Sequence, residues 1–515
     1  MNRPILFTIL IFLNTFIYQQ TISAQESYQG NNISRIPANC SEAERIKIAA
    51  SITPSLRQLN WQKQELTTFL HFSINTFYDQ EWGNGSEDPA RFNPDSLDAR
   101  QWVKVCKDAG SKCIILTCKH HDGFCLWPSK YTTHSVASSP WKQGKGDVVS
   151  ELANACHESG IRFGIYLSPW DRHEKSYGSE AYNTHFINQL TELLTLYGPI
   201  AEVWFDGACG EGPNGNKQVY DWQSYYKTVR TLQPDAVIAI MGPDVRWVGT
   251  ESGYGRETEW SVVPVELANP DLVAGQSQQE ESREAFIPPG DRMAVDLGSR
   301  NLIRTATALA WYPSEVDVSI RNGWFWHEKE NTTVKNANKL LDIFFCSIGR
   351  SSQLLLNIPP DRHGRINAAD IASLKEWKRS LDETFGVNLA KNAKSTNQSS
   401  KGIRETAKLL DADPFSSWIC GRNGPWMLEM DLQGMKTFDV LQLQENIEKG
   451  QRIEKFRLQA LVDGNWQTLT SGTTIGFKRL LRFQTVTTGK IRLIIDECRM
   501  APCLSEFGLY KLAGS

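Results

Sequence analysis

The chain has 515 residues, of which 40% are hydrophobic and 22% charged, with a formal net charge of −3. That length exceeds one compact unit, so two domains are expected. The near-neutral balance gives no reason to expect nucleic acid or an anionic membrane as a partner.

The first 24 residues read as a secretory signal peptide, with Arg3, an apolar stretch from Ile5 to Ile17, and small residues Ser23-Ala24 before Gln25. The apolar stretch is too short for a stable membrane span, and no cysteine follows directly to carry a lipid. The expectation is a secreted or periplasmic protein with no membrane insertion after cleavage.

Residues 25 to about 60 read as an irregular lead-in with a short helix near Ser41 to Ala50. A rhythm then begins. Strands are predicted over Leu66–Ile74, Cys113–His120, Arg162–Ser168, Ala201–Asp206 and Ala236–Gly242. Between them fall helices: one from Pro94 to Gly110 with Asp95 or Ser96 as N-cap, one from Asp147 to Gly160, one from about His185 to Gly198, and one from Trp222 to Leu232. Further on, Glu257–Val263, Val316–Ile320 and Gln353–Ile358 are candidate strands. Residues 265–299 are polar and loop-like, and Leu374–Phe385 reads as a closing helix.

Alternating strands and helices imply βα units on a parallel sheet. No glycine-rich phosphate loop follows any strand, which removes the common nucleotide-binding open sheets. Polar and aromatic residues instead recur at the C-terminal ends of several strands, as a (β/α)8 barrel requires. The predicted fold is thus an α/β, (β/α)8-like barrel over residues 25–387, with an irregular second half. From 388 to 515 short strands with frequent turns predict a β-sandwich, including Trp426–Leu432, Thr437–Glu445, Ile453–Val462, Leu480–Thr487 and Lys490–Asp496.

Eleven cysteines in so long a chain are not a disulfide scaffold. Cys498 and Cys503 are close enough in sequence to bridge. There is no pair of Cys-x-x-Cys motifs to suggest zinc, and the adjacent His120 and His121 point different ways. They suit hydrogen bonding to hydroxyl groups better than chelation. Seventeen tryptophans favour a sugar site mildly, because indole faces pack on pyranose rings.

Carboxylates complete the pattern. Asp206 ends a buried strand, sharing a face with Trp204, just before the glycine-rich loop from Gly207 to Gly215. Glu81 stands beside Trp82 in a second glycine-bearing loop, and Glu251 follows Arg246-Trp247 in a third. Glycoside hydrolysis needs one ionised and one protonated carboxyl group. Asp206 suits the first role and Glu251 the second, with Glu211, Glu257 and Glu259 as rivals for the acid.

His71-Phe-Ser, Glu81-Trp-Gly-Asn-Gly85, Phe92-Asn-Pro94, Lys119-His-His-Asp-Gly-Phe124, Tyr166-Leu-Ser, Val203-Trp-Phe-Asp-Gly207 and Arg246-Trp-Val-Gly-Thr-Glu251 occur in this order on successive elements. Together they resemble the α-L-fucosidases of glycoside hydrolase family 29 over residues 60 to 360. The resemblance implies a retaining mechanism with Asp206 as nucleophile and Glu251 as general acid/base. It further implies that His71, Glu81, Trp82, His120, His121, Tyr166, Trp204 and Arg246 contact fucose, with Trp324 beside its methyl group.

No cofactor or metal is implied, and the partner is a fucosylated oligosaccharide or glycoconjugate. The Glu81 and Glu251 motifs look like the subgroup that prefers α-1,3/α-1,4-linked fucose on branched, Lewis-type glycans. The C-terminal segment is similar to discoidin-type, galactose-binding-like domains. Two rival readings stand beside this one: a retaining exo-glycosidase for another sugar, and an inactive carbohydrate-binding protein.

Overall fold

In the computed structural model, the alternation of apolar strand and capped helix closes on itself. The described residues are 28–514 apart from 29, 276–294, 397–405, 412, 414–415 and 420–425, so the expected signal peptide lies outside them. Eight parallel strands form the barrel: β1 (Leu66–Leu70), β2 (Cys113–Lys119), β3 (Arg162–Leu167), β4 (Glu202–Phe205), β5 (Val237–Ile240), β6 (Arg246–Trp247), β7 (Ser314–Ser319) and β8 (Gln353–Asn357). Their order is β5-β4-β3-β2-β1-β8-β7-β6, and a parallel bridge from Ala239 to Val245 joins the two ends. Apart from Arg162, every strand residue is buried. That is why these strands read as short, nearly continuous apolar stretches.

Helices α1 (Ala99–Asp108), α2 (Val148–Ser159), α3 (Glu180–Leu196), α4 (Trp222–Leu232), α5 (Ala337–Cys346) and α6 (Ala368–Phe385) pack around the barrel. Asp147 caps α2 through the Ser150 amide, and Gly160 ends it at φ +67°, a conformation glycine adopts at little cost. The cap of α1 is Asp98, whose side chain accepts from the Gln101 amide. The expected Asp95 and Ser96 lie a turn too early. Asp95 instead accepts from Ser96 Oγ at 2.7 Å and from His363. Helix α3 begins at Glu180, five residues before the expected start.

The sixth barrel strand is only two residues long, Arg246–Trp247, pairing with Ser314 and Glu315. The expected strand Glu257–Val263 reduces to Val262–Pro264, which lies outside the barrel. It pairs antiparallel with Ala308–Trp311, which in turn pairs with Ile33–Arg35. Two residues carry no periodicity, so β6 had no pattern to betray it.

The C-terminal sheet encloses a separate apolar core that includes Phe438, Phe456 and Phe507. Two pairs of its expected short strands merge. Trp426–Glu445 and Arg479–Cys498 are each one 20-residue strand, and their register shifts between Asp431 and Lys436. Asn465–Gly472 adds an edge strand that the polar sequence did not announce. Cys498 and Cys503 are free thiols, not a bridge.

The sandwich is bound tightly to the barrel. Val440, Leu480 and Tyr510 join the barrel's own apolar cluster. The Gln451 side chain donates to Glu259 O and accepts from Ser261 N, both at 2.8 Å.

Candidate active site

Along β4 the side chains alternate. Val203 and Phe205 are fully buried, while Trp204 and the following Asp206 face a cavity of about 740 Å³ beyond the C-terminal ends of the strands. That volume lies in the range of small-molecule sites. Ten of the eleven sequence-predicted site residues line it: His71, Glu81, Trp82, His120, His121, Tyr166, Trp204, Asp206, Glu251 and Trp324.

Asp206 is fixed from two sides. Its Oδ1 accepts from the Ala208 amide at 2.7 Å and its Oδ2 from the Tyr166 hydroxyl at 3.0 Å. Burial, together with the adjacent Asp206 charge, pushes the Tyr166 hydroxyl far up, so it stays a donor. His121 Nε2 lies 3.9 Å from the same oxygen.

The histidines are neutral, and their hydrogen bonds fix two tautomers. Burial pushes His71 down to about 3, His120 well below its usual range, and His121 down as well. Asn357 Nδ2 donates to Trp324 O at 2.8 Å, so its Oδ1 is the atom facing His71 Nδ1 at 2.9 Å. His71 therefore carries its proton on Nδ1 and offers a lone pair on Nε2. Ser168 Oγ donates to Trp170 O and so accepts from His121 Nδ1, both at 2.7 Å, which leaves His121 Nε2 as an acceptor too. Such sites take hydroxyl donors without adding charge. His120 stacks on Tyr166 with ring centroids 5.7 Å apart.

Four acidic side chains line the cavity, and they are not equivalent. Glu81 is braced by the loop after β7, accepting from Trp324 N at 2.8 Å and from His327 Nε2 at 2.6 Å. Asp317, on β7, accepts from the Trp247 indole at 2.7 Å, and burial plus the nearby Glu251 charge push its pKa well up. Glu251 accepts from the Trp324 indole at 3.0 Å. Asp206 and Glu251 remain as the acids presented to the cavity, with donors fixing their oxygens.

Arg246 is not brought to the cavity. Trp247, the next residue on β6, faces the interior, so Arg246 faces outward, where it pairs with Glu259 and donates to Tyr312 O at 2.9 Å. Of the eleven expected site residues it alone does not line the cavity. The rival acids are placed elsewhere as well. Glu259 is engaged with Arg246, Glu257 is exposed beside Arg479 of the sandwich, and Glu211 is exposed on its loop.

Sequence reasoning passed over Phe69, Trp170, Ile240, Trp247, Val273 and Asp317, which also line the cavity. Phe69 had a findable signal, since it alternates with His71 at the end of β1. It packs edge-on against Trp204 at 5.2 Å. Asp317, which alternates with Glu315 along β7, was a second such signal. Trp170 meets Trp82 edge-on at 5.7 Å, and Trp82, 48% exposed, forms the rim.

The α-L-fucosidase family model matches residues 55–382, a span that contains every residue of this cavity. Alpha-L-fucosidase 1 of Arabidopsis thaliana is 42% identical over 474 residues, covering 90% of this chain and 88% of its own. A solved glycoside hydrolase 29 family member from a rumen bacterium is 38% identical with a TM-score of 0.76, covering 91% of this chain and 78% of its own. A Ruminococcus gnavus GH29 fucosidase solved in complex with fucose is 31% identical with a TM-score of 0.77, covering 95% and 98%. With the barrel, the sandwich and the cavity in agreement, the chain belongs to the α-L-fucosidases of glycoside hydrolase family 29 and is a glycoside hydrolase.

Proposed function

We propose that this fucosidase is a retaining exo-enzyme that removes terminal α-1,3- or α-1,4-linked fucose from branched, Lewis-type glycans. The observation that carries the mechanism is the sorting of the four cavity acids: Asp206 and Glu251 are presented to the cavity, while Glu81 is braced by Trp324 and His327 and Asp317 is buried against the Trp247 indole.

In the first step the Asp206 carboxylate attacks the anomeric carbon of fucose as the glycosidic bond breaks. The product is a covalent fucosyl-enzyme. Glu251 gives its proton to the departing oxygen, then takes one from the water that attacks the fucosyl-enzyme and releases fucose. An acid in this role needs neighbours that favour its protonated form; the Asp317 carboxyl, close enough that the two charges oppose each other, supplies that setting, while the Trp324 indole fixes the orientation of Glu251. His71 and His121 accept from sugar hydroxyls through Nε2, and Trp204 and Trp324 offer apolar faces to the ring and its methyl group. An export signal fits hydrolysis of extracellular or periplasmic glycans.

Linkage preference belongs to the cavity's outer part, where Trp82, Trp170 and the Ala208–Gly210 backbone extend beyond the fucose pocket. A branched sugar can gain contacts there that are used in the transition state, and these raise kcat/KM. The expected result is a kcat/KM for a Lewis trisaccharide about a hundredfold or more above that for 2′-fucosyllactose, equivalent to roughly 3 kcal/mol. Equal values would defeat the branched-substrate reading.

A further inference from the structure

Outside the residues already given roles, one side chain ties two active-site loops together. His327 lies in the loop after β7, 6% exposed. Its Nδ1 donates to Asp79 Oδ1 at 2.7 Å and its Nε2 to Glu81 Oε1 at 2.6 Å. Both partners are carboxylates, which accept, so both ring nitrogens carry protons and the ring is an imidazolium.

From Glu81 the chain of contacts continues inward. Its Oε2 accepts from the Trp324 amide at 2.8 Å, and the Trp324 indole donates to Glu251 at 3.0 Å. Trp324 O is held from the other side by Asn357, which also orients His71. The backbone is shaped for this closure. A Cβ on Gly323 would sit 2.3 Å from Glu81 Oε1 and 3.1 Å from His327 Cδ2, so no other residue fits without opening the contact.

We propose that His327 is a positioning residue, a charged brace between Asp79 and Glu81 that holds Glu81 and Trp324 in place against bound fucose and, through Trp324, sets Glu251. Asp79 and Glu81 approach from the loop after β1, and Glu251 from the loop after β6. The brace deepens the fucosidase reading and rests on it, but it does not depend on the linkage preference.

The sign of the pH dependence follows from the groups around the ring. Burial works against charge on His327, but the hydrogen bonds to Asp79 and Glu81 outweigh it and the ring's pKa is raised. The brace is therefore intact at lower pH and is lost as pH rises through that raised value. Burial raises Glu81 as well, so protonation of Glu81 weakens the brace on the acid side.

Other charged groups near the ring act differently. Arg321 donates to His327 O and is paired with Asp370 on α6, whose carboxyl is pushed up to about 6 by burial and so also acts on the acid side. Glu330 accepts from Gly323 N, and Arg362 lies over the neighbouring Trp326 ring. His71 is already neutral throughout this range. Loss of affinity at rising pH is thus the signature of His327.

The test is direct binding of free L-fucose by calorimetry from acid to mildly alkaline pH, using the full-length wild-type chain, His327→Gln and Gly323→Ala, with thermal unfolding in parallel. Glutamine fills the site and can donate to only one carboxylate at a time, without charge. Wild-type Kd is expected to rise with pH through the His327 titration. His327→Gln should bind about tenfold or more weakly at the acid end, as expected for a lost charge-assisted hydrogen bond, and show no further rise across that window. Gly323→Ala should weaken binding in the same direction while His327 is still present.

A purely structural role would lower the melting temperature of His327→Gln but leave its pH profile parallel to wild type, and that result overturns the proposal. So does a wild-type Kd that stays flat across the window, which decides the matter even if a variant does not fold. Failure of the fucosidase reading would look different, because wild type itself would bind no fucose at any pH.

Discussion

At the scale of single residues, the site is a set of groups whose protonation is assigned by their surroundings. Buried His71 and His121 are held as neutral acceptors by Asn357 and Ser168. Tyr166 is held as a donor by the Asp206 charge. This order makes the division of labour between Asp206 and Glu251 testable through the leaving group. An aryl fucoside with an acidic phenol leaves with little protonation, whereas a sugar does not. Glu251→Ala is expected to lower kcat/KM for an oligosaccharide by about a thousandfold, within the usual range for lost acid catalysis, and to spare most of the rate of bond cleavage for the activated aryl fucoside. Equal losses on both substrates would remove Glu251 from the acid role.

At the scale of elements, legibility followed the strength of the local pattern. The strands from β1 to β5 are each followed or preceded by capped helices, and each is rich in apolar or β-branched residues, so all five were readable. The β6 strand was not, because two residues show no period and their pairing is decided by Ser314 and Glu315, far away in sequence. The same two-residue strand decides where Arg246 points. Read as part of a loop it belonged in the pocket, but strand alternation turns it outward to Glu259. Helix α5, apolar on its barrel face, was passed over because the search there was for strands. The cavity's carboxylates and histidines could be named from their positions at strand ends. Their tautomers and partners could not, since Asn357, Ser168 and His327 reach them only through the fold.

At the scale of the whole molecule, the sandwich is a structural partner of the barrel. Leu480 N donates to Gly349 O at 2.9 Å, Arg479 donates to Glu257 O at 2.6 Å, and Arg482 pairs with Asp342 at 2.5 Å. Tyr510 packs on Phe385 of α6 with ring centroids 5.1 Å apart. Removing residues 388–515 would expose these apolar and polar surfaces together. A chain ending at 387 is expected to lose soluble yield or melt about 10 °C or more below the full chain, the shift expected for several kcal/mol in a large domain. An unchanged melting temperature would show that the sandwich is an independent appendage.

The proposed mechanism places one covalent event at Asp206. Incubation with a 2-fluoro-fucosyl fluoride slows the second step more than the first, so the fucosyl-enzyme accumulates and can be located by peptide mass mapping. The account predicts one fluorofucosyl adduct per chain, on the peptide carrying Asp206, with activity lost in proportion to labelling. An adduct on Glu251 or another acid, or inhibition with no adduct at all, would contradict it.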